Sequence, residues 1–185
     1  MKLSDVDGKN FKGEQPEELE EEKYDNEIFN VMKDNGVSKE ALVDTAMELY
    51  FSHPGIETRD KAENIFTREL EIAFSDPNLC ILVYSGILLE KEGKAGTLPN
   101  LSKSSYEKDL SFIIADEVLG MSISKYISGD KGMFEYVRFD KEKPGILSKL
   151  GPFMDDVVAG IVGGVSANMY TRAIAEMDNS NNSKE

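Results

Sequence analysis

The chain has 185 residues, 40% of them hydrophobic, and a formal net charge of -14. That length and apolar content suffice for one ordinary domain with a real core. The acidic charge excludes nucleic acids and anionic membranes as partners, because binding to either draws its affinity from basic residues that neutralise phosphates. Cations and small molecules remain as the expected ligands.

Neither a membrane span nor a secretory leader is predicted from the hydrophobic pattern. The two densest apolar runs cover residues 79–89 and 157–167, each far short of the ~20 residues that a spanning helix needs. The first residues are polar and acidic, without the apolar core of a signal peptide. We therefore expect a cytoplasmic protein. Its single cysteine, Cys80, is expected to be buried and inert.

The composition changes near both ends of the chain. Residues 1–26 are acidic and contain few apolar side chains, so they cannot bury enough surface to offset their ordering entropy and predict a flexible arm. Residues 178–185 have the same character and predict a disordered tail. Between them, residues 27–177 are expected to form a single all-α domain.

Helical spacing of apolar residues predicts four helices between residues 27 and 90. The first ends at an Asn-Gly stop signal. The next two begin at Ser38 and Thr58, which are typical N-cap residues. The fourth is expected over about residues 78–90, before a loop rich in glycine.

The back half is predicted to contain two further helices and a long loop. A capping box that starts at Ser104 indicates a helix over about residues 105–127. Polar residues then predict a loop over 128–151, in which FEYVRF is at most a short extended piece. The last helix is expected to begin at Pro152, a good residue for a first turn, and to end at about Met177.

Two pairs of adjacent acids fall on these last helices. In a helix over 105–127, Asp116 and Glu117 would lie on the apolar arc together with Gly120, because each residue turns the helix by about 100°. Asp155 and Asp156 would share their arc with small residues, which lets another helix approach closely. If the two faces dock, four carboxylates meet in one pocket.

Such a pocket needs a counter-charge, because desolvating an unpaired charge costs several kcal/mol or more. A divalent cation would provide it, and oxygen-only ligands favour Mg²⁺ over zinc. The only histidine, His53, is interpreted as a turn residue rather than a ligand. Two alternatives stay open: acids are favoured in first helical turns without any function, and Arg138, Lys143 or Lys149 could neutralise a pair in a structural cluster.

The predicted loop adds positive charge beside these acids. Residues 131–149 hold five basic and three acidic side chains in a strongly acidic protein. Asp140 and Lys143, just before Pro144, would suit a phosphate held between a metal ion and cations. A charged loop is also often only solvated, so this pattern is compatible with either interpretation.

Three short motifs resemble those of a known family. The stretches ADEVLG (115–120), FDKEKPGI (139–146) and MDDVVAGI (154–161) are similar, in order and spacing, to D-E-x-x-G, F-D-x-x-K-P and D-D-x-x-A-G of the phosphatidylglycerophosphatase A family. The resemblance covers roughly residues 40–175. KPGIL followed by DDVVAGI, behind a helical front half, looks most like the soluble branch, which includes α-ribazole-phosphate phosphatases of cobalamin synthesis and low-temperature-requirement-C-like proteins.

The resemblance implies an all-α, Mg²⁺-dependent enzyme that hydrolyses a phosphomonoester. It also implies catalytic roles for the matching residues. Metal ligands or positioners of metal-bound water would be Asp116, Glu117, Asp155 and Asp156. Asp140 would be a ligand or general base, and Lys143 would bind the phosphate. The membrane-bound branch has an arginine three residues before the central motif aspartate; here Val137 stands there, and Arg138 follows as a second candidate for the phosphate.

The substrate class is the least determined part of this prediction. Without a spanning segment, a small-molecule phosphate ester such as α-ribazole 5′-phosphate is expected first. Phosphatidylglycerophosphate reached from the membrane surface is the alternative within the same enzyme class. A non-catalytic helical interaction protein is the third possibility, with the small-residue face of residues 160–167 as the seam of a homo-oligomer.

Overall fold

The computed structural model describes residues 27–110 and 112–182, with side chains up to residue 177. The predicted arm, residues 1–26, and the last part of the predicted tail, residues 183–185, lie outside the described residues. The rest of that tail, residues 178–182, continues the last helix.

The described residues form seven α-helices, one short 3-10 helix and no β-strand. The helices are α1 (Ile28–Asp34), α2 (Lys39–Glu48), α3 (Arg59–Phe74), α4 (Pro77–Ala95), α5 (Lys103–Glu107), α6 (Ala115–Glu142) and α7 (Pro152–Asn182), and the 3-10 helix is Gly145–Lys149. The prediction of an all-α fold is therefore confirmed.

Side-chain caps begin the helices of the front half as their sequence indicates. Ser38, Thr58 and Asp76 each accept a hydrogen bond from a backbone N–H in the first turn of α2, α3 and α4, which satisfies a donor without an intrahelical partner. Gly96 ends α4 in the left-handed conformation, with φ of 75°. This helix continues past its expected end near residue 90.

The back half differs from the predicted helix over 105–127. Ser102, not Ser104, caps α5, a helix that ends after five residues. The chain then turns through Asp109, whose φ of 46° lies in the left-handed region. A new helix, α6, begins only at Ala115. The sequence correctly indicated a serine-capped helix start in this region, but that start belongs to the short helix α5 and not to the helix that carries Asp116 and Glu117.

A sharp reversal divides α6 into two arms. Ser128 and Gly129 have non-helical backbone angles. A Cβ on Gly132 would lie 2.2 Å from the carbonyl oxygen of Ser124, although eight residues of straight helix would separate them by ~12 Å. The first arm, residues 115–127, and the second arm, residues 130–142, are therefore antiparallel neighbours.

The predicted loop over 128–151 is thus wrong for most of its length. Residues 130–142, including FEYVRF, are helical because Tyr136 and Phe139 pack into the core, at 2% and 0% exposure. Residues 143–151, which include the 3-10 helix, connect this arm to α7. Polar side chains between the apolar ones concealed the helical spacing.

Helix α7, which is buried throughout residues 156–167, is the centre of the fold, and both arms of α6 lie against it. A Cβ on Gly160 would lie 2.3 Å from the carbonyl oxygen of Gly120, and one on Gly163 would lie 2.6 Å from the backbone nitrogen of Tyr136. Residues 160–167 are all buried. The small-residue face is consequently an internal seam, and its alternative interpretation as an oligomer contact is wrong.

Among the described residues, no single helix is long and apolar enough to cross a membrane. Within that part of the chain, α3 and α4 counted as one segment would be long and apolar enough to span a membrane. The two helices, however, are bent by 91° relative to each other.

The closest backbone contact between the first arm of α6 and α7 gives a stability prediction. Gly160→Ala should lower the free energy of unfolding by about 2 kcal/mol or more, because the new methyl meets the backbone of Gly120, which cannot move aside as a flexible side chain would. Urea unfolding followed by circular dichroism measures the change. Ser122→Ala, an exposed change on the same α6 arm, is the control and should stay within about 0.5 kcal/mol. Equal stability of Gly160→Ala and wild type would contradict the contact.

Candidate metal and phosphate site

Both acid pairs lie near the amino-terminal ends of long helices. Asp116 and Glu117 are in the first turn of α6, not in mid-helix as predicted, and Asp155 is in the first turn of α7 with Asp156 beside it. A Cβ on Gly120 would lie 2.4 Å from the carbonyl oxygen of Asp156. This contact sets the two first turns side by side.

Three of the four acids form a compact cluster. Carboxylate oxygens of Asp116, Glu117 and Asp156 all lie within 4.8 Å of one another. Asp116 is 2% exposed and Asp156 4% exposed. Glu117 is half-buried, and its Oε2 is a buried oxygen without a hydrogen-bond partner among the described residues. First-turn position alone accounts for an exposed acid, but not for this degree of burial.

Burial strongly favours the protonated form of these acids. It raises the pKa of Asp116 to about 8, with a further contribution from the neighbouring Glu117. Burial also raises the pKa of Asp156 to about 7, against the hydrogen bond that the Tyr136 hydroxyl donates to Asp156 Oδ1 at 2.5 Å. Near neutral pH the cluster therefore holds either protons or a cation.

The donor set of this cluster fits a hard divalent cation. All three donors are carboxylates, the ligands that Mg²⁺ and Ca²⁺ prefer. The unpartnered Glu117 Oε2 and the raised pKa values of Asp116 and Asp156 both indicate a site that lacks its positive charge. Asp116, Glu117 and Asp156 could thus hold a metal ion.

The fourth predicted ligand has a different partner. Asp155 Oδ2 lies 2.6 Å from the ammonium of Lys143, which also lies 2.7 Å from Asp140 Oδ1. Burial lowers the pKa of Lys143, but its hydrogen bonds to Asp140 and Asp155 outweigh that effect and leave the pKa above its ordinary value. Lys143 is therefore a fixed positive charge next to the three-carboxylate cluster.

The backbone around Lys143 holds this ammonium in place. Lys143 ends α6 with φ of 45°, a left-handed conformation that is uncommon for a residue with a side chain. The next residues are held by α2, since Gly145 N–H donates to Glu48 Oε2 at 3.0 Å and Ile146 N–H donates to Thr45 Oγ1 at 3.1 Å. A Cβ on Gly145 would meet Thr45 Oγ1 at 2.5 Å, so glycine is required there.

Arg138 does not join this site. Its guanidinium donates to Glu135 through Nε at 3.1 Å and to the carbonyl oxygen of Leu49 at 2.7 Å. It also lies over the rings of Phe51 and Phe139, at 5.5 and 5.2 Å. No ion pair joins it to the acids of the cluster in the part of the chain that the structure describes. Of the two candidates for the phosphate, only Lys143 is placed beside the carboxylates.

Three residues of the site were not found from the sequence. Tyr136 is indistinguishable from a core aromatic residue until its hydroxyl is seen on Asp156. Glu48 lies on a different helix, far away in the chain. Thr45 did carry a signal, because a fully buried polar residue on the apolar face of α2 needs a hydrogen-bond partner.

Comparison with known proteins assigns the chain to a family. Residues 41–171, which include every candidate residue named above from α6 and α7, match the family profile of phosphatidylglycerophosphatase A. The chain belongs to this family. Membership in the phosphatidylglycerophosphatase A family indicates a phosphatase.

Curated relatives of this phosphatidylglycerophosphatase A family member occur in an archaeon and in a bacterium. The uncharacterised protein MJ1330 of Methanocaldococcus jannaschii is 33% identical over 132 residues, which are 69% of this chain and 99% of the relative. The uncharacterised protein YutG of Bacillus subtilis is 34% identical over 99 residues, 49% of this chain and 59% of that protein.

Solved structures show the same fold. The low temperature requirement C protein of Listeria monocytogenes has a TM-score of 0.68 at 24% identity, over 80% of this chain and 94% of that one. The protein ypjQ of Bacillus subtilis has a TM-score of 0.64 at 22% identity, over 78% and 91%. The resemblance to the phosphatidylglycerophosphatase A family drawn from the three motifs is confirmed, and these structures confirm the fold.

The raised pKa values of this phosphatidylglycerophosphatase A family member predict how its stability depends on pH without metal. Folded Asp116 and Asp156 keep protons up to pH 7 to 8, whereas in the unfolded chain they lose them near the ordinary value of 3.8. Their contribution to stability is fully present below about pH 4 and is lost as the pH rises through 7 to 8. In EDTA, Asp156→Asn should therefore exceed wild type in Tm at pH 8 by roughly 3 °C or more, about 1 kcal/mol or more for a domain of this size.

Thermal unfolding at pH 4 and pH 8 measures this difference. The amide oxygen of Asp156→Asn can still accept from Tyr136, so the variant changes charge more than packing. Asp130→Asn, with a side chain 81% exposed, is the matched control. Its Tm should differ from that of wild type by the same small amount at pH 4 and at pH 8. A Tm difference between Asp156→Asn and wild type that does not grow with pH would contradict the prediction.

Proposed function

We propose that this protein is a Mg²⁺-dependent phosphatase that hydrolyses a small-molecule phosphomonoester. The observation that carries the proposal is the buried cluster of three carboxylates next to the fixed ammonium of Lys143. Both features lie within the span that matches a phosphatase family. A metal ion and a cation on one side of a pocket are what a phosphoryl group needs for binding.

The roles of the acids follow from their contacts. Asp116, Glu117 and Asp156 would hold the metal, and Tyr136 orients Asp156 through its hydroxyl. A bound Mg²⁺ would polarise the phosphoryl oxygens and lower the pKa of a coordinated water. Asp140 is one-third exposed and pairs with Lys143 through Oδ1, which leaves its other oxygen available to orient a water as a general base.

Asp155 is best explained as a positioning residue for Lys143. Its Oδ1 accepts from the Asp156 N–H at 2.8 Å and its Oδ2 accepts from Lys143, so both oxygens are already used within the chain. The Lys143 ammonium has three donors, and Asp140 and Asp155 take two of them. The third donor is available to a phosphoryl oxygen, where its charge would stabilise the transition state.

Two substrates fit this site and differ in how they would reach it. α-Ribazole 5′-phosphate is the first choice, supported by the similarity of the fold to the low temperature requirement C protein and by the motif resemblance to the branch that contains both. Phosphatidylglycerophosphate at a bilayer surface is the second candidate. It is favoured by the exposed apolar side chains of Phe112, Ile114 and Val118, which flank Asp116 in the chain.

Phosphate release from the two substrates, each with Mg²⁺ and with EDTA, tests the proposal. Mg²⁺-dependent turnover of α-ribazole 5′-phosphate alone would support a role in cobalamin synthesis in the cytoplasm, and turnover of the lipid alone would support the second candidate. If neither is hydrolysed but Mg²⁺ binds, both substrates are wrong. Absence of both turnover and metal binding would leave a non-catalytic helical protein.

The proposed role of Lys143 makes a separate prediction. Lys143→Met should lower kcat at least 100-fold, the usual loss when a charge that stabilises the transition state is removed, while Mg²⁺ binding measured by calorimetry persists. Lys141→Met removes an exposed lysine two residues away and should retain activity. A variant that is folded by circular dichroism and turns over at the wild-type rate would remove Lys143 from the mechanism.

A further inference from the structure

An apolar surface outside the carboxylate cluster covers the outer side of α4 and of the first arm of α6. We call it the α4–α6 face. Seven large hydrophobic residues, each between 43% and 67% exposed, form it: Ile81, Tyr84 and Leu88 on α4, Phe112 and Ile114 just before α6, and Val118 and Tyr126 on its first arm.

The two helices present these residues on one side of the molecule. A Cβ on Gly86 of α4 would contact both Val157 of α7, at 2.4 Å, and Leu119 of the first arm, at 3.5 Å. The Tyr126 hydroxyl donates to Asp76 Oδ2 at 2.7 Å, so the arm and α4 run antiparallel. Because both helices pack on α7, their outer sides point away from α7 together.

The charge distribution makes this face unusual for the protein. Residues 77–89 of α4 contain no charged side chain, in a chain with a net charge of -14. Two copies of such an acidic protein repel each other over most of their surfaces. Along residues 77–89 two copies can approach without placing carboxylates of α4 opposite each other.

We propose that a second copy of this chain covers the α4–α6 face, so that α4 and the first arm of α6 pack against the same helices of the partner. At their exposed fractions, and with roughly 200 Å² for a full large side chain, the seven residues offer on the order of 800 Å². That equals the ~800 Å² per partner of a standard stable interface. An uncharged apolar stripe is also self-complementary, as a two-fold contact requires.

Other occupants fit the face less well. Residues 1–26 of the same chain are acidic and have few apolar side chains to lay on it. Peripheral membrane proteins usually combine an apolar face with several lysines and arginines that attract anionic lipids, whereas residues 77–89 of α4 have none and Lys125 of the first α6 arm is paired with Asp130. Ile114 and Val118 flank Asp116 and Glu117, so the second copy would also cover the outer side of the first α6 turn. The inference does not depend on the chemistry of the site.

Analytical ultracentrifugation of the full chain tests the proposal. Wild type should sediment as a dimer of the 20.6 kDa chain. The double variant Ile81→Glu and Val118→Glu should be monomeric, with a dissociation constant raised at least 100-fold, since it places four carboxylates in a water-poor contact. Ile174→Glu makes the same kind of change at a 40% exposed residue near the far end of α7 and should stay dimeric.

Three outcomes would overturn the proposal. One is a monomeric wild type at about 100 µM. Another is dissociation of the dimer by Ile174→Glu, but not by the double variant. A third is a monomeric wild type that floats with phosphatidylcholine vesicles, which would assign the face to a membrane.

Tyr84→Ser, a milder change at an exposed site, should weaken the dimer while leaving Tm of the diluted monomer unchanged, and this distinguishes loss of contact from misfolding.

Discussion

The site depends on the direct contact between the backbones of α6 and α7. Gly120 and Gly160 lack the side chains that would hold the helices apart, so the carbonyl oxygens of Gly120 and Asp156 each lie where a methyl group would otherwise be. Helices with larger residues there would sit several ångströms further apart. Asp116 and Asp156 would then be hydrated separately, and their pKa values would not be raised by burial. Close helix packing thus creates both the geometry of the cluster and the burial that raises the pKa values of Asp116 and Asp156.

Burial of charge at this end of the bundle is arranged in two distinct ways. Lys143 satisfies Asp155 and Asp140 from within the chain, which is the usual solution for buried acids. Among the described residues no ion pair joins Asp116, Glu117 or Asp156 to a basic side chain, and only the more distant charge of Lys143 acts on Asp156. The burial of these three acids lowers the stability of the fold locally, as is common at functional sites. The positive charge of Lys143 is already neutralised in part, which favours a phosphate that is shared with a metal ion.

Sequence patterns predicted the packing of the site better than its details. The acids and the glycine one turn later indicated which faces of α6 and α7 meet, because helical periodicity is reliable over long apolar segments. The antiparallel second arm was missed, since its polar residues and the Ser-Gly pair before it resemble a loop. That error hid Tyr136 and placed Lys143 in a loop rather than at a helix end. The position of Arg138 depends on Leu49 and Phe51, contacts that no local pattern encodes.

The reversal at Ser128 and Gly129 has a consequence for folding. It lets both arms of α6 and the start of α7 assemble from one continuous segment, residues 115–164, in which the contacts of Tyr136 with Asp156 and of Lys143 with Asp155 span 20 and 12 residues, against 97 for the contact of Gly145 with Glu48. Closing short loops costs little entropy, and segments with local contacts fold fast. This helical hairpin and α7 should therefore form before α1–α3 dock. The like-charged acids would then meet early in folding, while the nascent site is still hydrated enough for ions to screen their repulsion.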